Sequence, residues 1–185
     1  MNTLLKHGAA AGLLALSVGC AQAQEPHLQQ FLMTVSISHA GHLIAEGPLA
    51  FYSGPSEQKN SAEPTAAQYA SLIETGYPAI HCSHSGDKST RDFTSVVLKS
   101  GYSLHGSLST EQGKIAIRVR RFDAEGATAQ VLSEMKRPIQ TCHTIEPHQL
   151  VSLAQTVTIP AAAGSAAVTL KNGDVLRYEV AITAP

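Results

Sequence analysis

The segment Lys114-Ile115-Ala116-Ile117-Arg118-Val119-Arg120 places Ile115, Ile117 and Val119 on one face and every fixed charge on the other. Only an extended strand sorts them this way, because its successive side chains point to opposite faces. The same period of two recurs in Phe31, Met33, Val35 and Ile37, in Tyr102, Leu104 and Leu108, and in Leu176, Tyr178, Val180 and Ile182. Strands with one apolar face must pair and then cover that face. The expectation is a mainly β domain, an antiparallel β-sandwich or a partly open barrel.

Turn chemistry agrees with short antiparallel connections. Asn172-Gly173 lies between two alternating segments, and both residue types tolerate the positive φ of a tight hairpin. Glu111-Gln112-Gly113 is a second expected turn, and Ala40-Gly41 a third, flanked by His39 and His42. One stretch departs from the pattern. Thr65-Ala66-Ala67-Gln68 has capping-box spacing, and Tyr69, Leu72, Ile73 and Gly76 follow at helical intervals, which predicts one short helix within 66–78. Before it, Ser53 to Pro64 reads as an exposed loop.

Residues 1–23 have the layout of a secretory signal peptide. A head bearing Lys6 precedes the uncharged run Gly8 to Val18, and Ala21-Gln22-Ala23 is a small-x-small cleavage site. The run has eleven residues, whereas a spanning helix needs about 20. The expectation is a mature domain over 24–185 without a transmembrane span, periplasmic or secreted. The alternative uses Ser17-Val18-Gly19-Cys20 as a lipobox-like segment, with Cys20 acylated and the protein anchored to a membrane. On either reading Cys82 and Cys142 remain as an even pair in an oxidising compartment, and one disulfide is expected between them.

Composition excludes some classes. The chain carries 13 Lys and Arg against 14 Asp and Glu, with no basic excess for a nucleic-acid surface. Arg118-Val119-Arg120-Arg121 is the only local basic run and reads as the wet face of a strand. No Gly-x-Ser-x-Gly, His-Glu-x-x-His, phosphate-cradling glycine motif or Cys-x-x-Cys occurs, so the chain is read as a non-enzyme.

Histidine is in excess, nine in 185 residues. Across an Ala40-Gly41 turn, His39 and His42 would face each other with Cβ atoms about 4.5–5.5 Å apart. A Cys82–Cys142 bond would also bring His81 and His84 near His143. Either set is a candidate copper or zinc site. Strand alternation acts against the second, since His81 and Cys82 point to opposite faces.

Several segments, in order, resemble the core β-domain of secretins, the outer-membrane proteins of type II and type III secretion and of type IV pili. They are Val35-Ser36-Ile37, His42-Leu43-Ile44-Ala45-Glu46-Gly47-Pro48, Glu74-Thr75-Gly76-Tyr77-Pro78, Gly101-Tyr102-Ser103-Leu104 with Lys114 to Val119, and Thr156 to Ile159 running on through Gly164 to Leu170. The resemblance implies an accessory or degenerate relative, and it implies a strand, not a helix, over Tyr69 to Pro78. The functional expectation is a non-enzymatic envelope interaction or assembly protein without a cofactor, which binds an envelope protein partner or its own copies. The alternatives are a periplasmic copper- or zinc-binding protein and an immunity or inhibitor protein.

Overall fold

The structure is a computed structural model that describes residues 29–53, 66–109 and 112–183. The signal peptide, Cys20, most of the Ser53–Pro64 loop and the Glu111 end of the expected turn lie outside them. The order of elements is β1 (Gln29–His39), β2 (His42–Ser53), β3 (Ala66–Ser85), β4 (Lys88–Ser109), β5 (Lys114–Glu125), α1 (Thr128–Glu134), β6 (His148–Pro160), β7 (Gly164–Thr169) and β8 (Val175–Thr183). A 3₁₀ turn, Ile139–Thr141, follows α1.

Two open antiparallel sheets pack face to face, β2-β1-β8-β7 on β3-β4-β5-β6. The mainly β sandwich with one disulfide is therefore as expected, and it is not a barrel. The predicted alternation sets most of the core: Phe31, Met33, Val35 and Ile37 of β1, Tyr102, Leu104 and Leu108 of β4, Ile115, Ile117 and Val119 of β5, and Leu176 and Val180 of β8 are buried, joined by Leu49 and Phe51 of β2, whereas Ile182 at the end of its series is exposed. At the edge of this core Tyr69 lies against Gly47, where a Cβ would overlap its ring.

One local expectation is corrected. The short helix predicted within 66–78 is absent, because that stretch belongs to strand β3, all 20 residues of which pair with β4 without a register shift. A single helical turn of nucleated backbone cannot compete with a continuous ladder that also buries Ala67 and Tyr69 against the core. The one α-helix among the described residues is α1, seven residues in a part of the chain that carried no helical signal. The β7–β8 hairpin is as expected, with Asn172 and Gly173 in its turn. The connection runs from Leu170 to Asp174, with only Gly173 at positive φ (+85°) and its N–H donated to Leu170 O at 3.0 Å. At the β1–β2 hairpin, by contrast, Ala40 (φ +47°) and Gly41 (φ +84°) form the expected tight turn.

The β3–β4 hairpin is longer than the sandwich is wide. β5 follows β4 only as far as the pair Gly101–Phe122 and then diverges with β6. Gln149 of β6 fills the gap. Its Oε1 accepts the Lys99 N–H at 2.8 Å, while its Nε2 donates to Lys99 O at 2.7 Å and to Asp123 O at 3.0 Å. One carboxamide thus stands in for a missing strand residue.

Beyond this point β3 and β4 form an arm ending at Gly86-Asp87. The segment between β5 and β6 returns to brace it. Ile145 exchanges both backbone hydrogen bonds with Ile80 at 2.8 Å, Cys142 is bonded to Cys82, and the Arg91 guanidinium donates to Met135 O and Arg137 O at the C-terminal end of α1. Those carbonyls have no partner within a helix, so a cation placed there caps it.

Candidate functional site

The inner-facing register of four strands runs out at one end of the sandwich, and there it delivers polar residues. His39 follows Phe31, Met33, Val35 and Ile37 on β1. Asp174 precedes Leu176 on the β8 side, Tyr102 lies on β4, and Arg121 follows Ile115, Ile117 and Val119 on β5. Asp174 is fully buried. Its Oδ1 accepts from His39 Nδ1 at 2.6 Å. Its Oδ2 accepts from the Tyr102 hydroxyl, from Asn172 Nδ2 at 2.7 Å and from Arg121 Nη1 at 3.2 Å. Asn172 also donates to the Tyr102 oxygen at 3.0 Å, and Arg121 stacks over the Tyr102 ring.

The carboxylate is therefore saturated by donors from both sheets, the condition under which a buried charge is tolerated. Burial pushes the Asp174 carboxyl up, but the hydrogen bonds from Tyr102, His39 and Asn172, with the charge of Arg121, outweigh it and hold the group below the usual carboxylate range. Burial, with the Asp174 carboxylate beside it, pushes the Tyr102 phenol up. Both shifts favour the charge pattern drawn by the geometry, an ionised Asp174 under a neutral Tyr102.

Two chemical consequences follow. The cluster pins one sheet to the other at the rim of the core. It also commits His39 Nδ1 to a carboxylate, which leaves Nε2 of a largely exposed ring for a proton or a metal. His42 pairs with His39 directly across the Ala40-Gly41 turn.

The second histidine set is divided among separate partners. His81 Nδ1 meets Glu146 at 3.2 Å. His84 contacts Ser89 Oγ at 2.9 Å and the Cys142 carbonyl at 3.3 Å. His143 lies 3.5 Å from the buried Glu134, which also accepts the His143 N–H at 2.8 Å. Among the described residues no group of three or more His, Cys, Asp or Glu side chains is arranged to hold a metal ion. The disulfide brings Cys142 to β3, as expected, without making these imidazoles converge.

Asp174, Tyr102, Arg121 and Asn172 were not singled out as a site from the sequence. A signal for Arg121 was present, since it continues the buried series Ile115, Ile117, Val119, and a cation in a core register calls for a buried acceptor. Which of 14 acidic residues would supply it was not legible. Comparison with family models, with curated proteins and with solved structures gives no match to this chain.

Proposed function

We propose that this chain is a non-enzymatic interaction module of the cell envelope, an accessory of a secretion- or pilus-type assembly, and that it engages an extended segment of an envelope protein along β3. The observation that carries the reading is the outer edge of β3. Over Ala66–Ala79 it has β4 on one side and, among the described residues, no strand on the other. An unpaired strand edge is a template for one more strand, and main-chain hydrogen bonds supply affinity without a sequence motif. Ile73, 72% exposed, lies on that edge strand and would add side-chain contact. A photo-reactive residue at Ile73 should trap one envelope protein in the native host, and the same residue at Ser165 on the far sheet should not. Equal yields at both positions, or none at either, would sink the proposal.

A second reading has its own observation. His39, oriented by Asp174, and His42 across the turn present two imidazoles in the arrangement that suits copper or zinc, with a carboxylate behind one of them. Titration of the folded protein with Cu²⁺ and Zn²⁺ tests it. Binding that survives His39→Ala with His42→Ala, or that matches the unfolded chain, removes this reading.

A further inference from the structure

The two outer faces of the sandwich carry different charge. On sheet β2-β1-β8-β7, Arg177 shares the outward register with two carboxylates, Glu46 and Glu179, as expected of a solvated face with interspersed signs. On the opposite sheet, buried Ile115, Ile117 and Val119 force Lys114, Arg118 and Arg120 outward. The rows are Gln68–His105–Arg118–Thr156 and Ala70–Ser103–Arg120–Ala154, with Ser107, Ala116 and Thr158 completing the next one. Across these rows there is no carboxylate. Glu74, further along β3, is paired with Lys99 at 3.2 Å, and among the described residues neither Arg118 nor Arg120 has an acidic partner.

This arrangement does not serve stability. Arg118 and Arg120 are same-face neighbours, and His105 sits directly opposite Arg118, so like charges are set side by side when the imidazole is protonated. The chain as a whole has a formal charge of −1, so the concentration of cations here is a local property. A groove of about 500 Å³ is lined by Gln68, Ser103, His105, Arg118 and Arg120. Beside it the row Leu72–Gly101–Phe122–Val151 forms an apolar strip.

We infer that this groove binds an anionic saccharide, one bearing sulfate or phosphate esters. The two guanidinium groups would each fork onto an oxyanion, Gln68, Ser103 and Thr156 would meet sugar hydroxyls, and the apolar strip would take the C–H face of a ring. A groove lined by amide, hydroxyl and guanidinium groups suits a chain that carries hydroxyls as well as oxyanions better than a bilayer surface. The charge complementarity that selects the ligand also makes binding dependent on salt. The site uses the outward face of the sheet, including Gln68 of β3, whereas the proposed partner uses the main-chain edge of that strand, and the inference does not depend on an envelope partner.

The experiment is calorimetric titration of the full chain with a sulfated dextran oligosaccharide, with neutral dextran of the same length, and with phosphatidylglycerol vesicles. Sulfated dextran should bind, more weakly as salt is added, while neutral dextran should not bind. Arg118→Gln with Arg120→Gln should lower affinity at least tenfold with an unchanged thermal melt, since both side chains are exposed, and Arg177→Gln on the other face should leave it unaltered. The inference is overturned if the double variant binds as well as the parent, if Arg177→Gln weakens binding equally, or if vesicles bind and the oligosaccharide does not.

Discussion

Over Ala66–Ile73 the β3–β4 hairpin is one layer of a sandwich, while over Glu74–Ser85 the same two strands leave it. In the first half β4 contributes Tyr102, Leu104 and Leu108 to a dry core shared by two sheets. In the second, only Ala79, Ile80 and, opposite Thr75, Leu98 are buried, and Phe93 and Val97 stand exposed. The ladder is continuous through both halves, so hydrogen bonding does not distinguish them. The body is held by area removed from water and by the buried Asp174 pin, whereas the arm is held by a covalent bond, one two-bond bridge and one guanidinium cap. A two-stranded ribbon is marginal in water without such help, which gives the disulfide its location.

The comparison breaks first at Asp174. Asp174→Ala leaves Tyr102, Asn172 and the Arg121 charge without their shared acceptor, and should destabilise the whole domain by about 3–5 kcal/mol, measured by urea unfolding. A loss below about 1 kcal/mol would make the cluster decoration. The sign of the pH dependence is also set. Because the folded-state carboxyl lies below its unfolded value, its stabilisation is complete above the ordinary carboxylate range and is lost as pH falls through that range toward the folded value. Asp174→Ala should flatten that acid limb.

A smaller and local effect is expected at the disulfide. Closing a loop of 60 residues is worth about 4 kcal/mol on the chain-entropy model, and about 2–4 in typical measurements. Cys82→Ser with Cys142→Ser should therefore remove amide protection over the arm and α1 while the body strands stay protected. Uniform loss across both sheets would show that arm and body fold as one unit. Smallest is Gln149→Leu, which strands the Lys99 backbone groups at an exposed junction. About 1 kcal/mol is expected, with faster exchange at the Lys99 amide and no change at Ile117.

How much of this was legible can be traced residue by residue. Ile115, Ile117 and Val119 declared their face through local alternation, and His39-Ala40-Gly41-His42 declared its hairpin through turn chemistry; each signal lies within a few residues of chain. The 66–78 stretch misled because capping-box spacing is local, while the strand that claims it lies some 30 residues further on. Asn172 declared its place in the β7–β8 turn, but not that its side chain also serves Asp174 and Tyr102. The second histidine set was brought near by the disulfide but spread among Glu146, Ser89 and Glu134, partners no spacing rule connects.

Alternation and turn chemistry, both properties of neighbouring residues, determined by themselves that this protein is mainly β with antiparallel pairs, a sandwich or a partly open barrel, and the cysteine count left Cys82 and Cys142 as its available bond. Tertiary structure alone decided that β3 and β4 outrun the sandwich, that His39, Tyr102, Arg121 and Asp174 meet at its rim, and that the carboxylate Arg121 reaches lies 53 residues away. The physical reason is range. A side chain's face follows from its immediate neighbours, but its partner depends on which strands pair and in what register, and that is settled by the burial of the whole core at once.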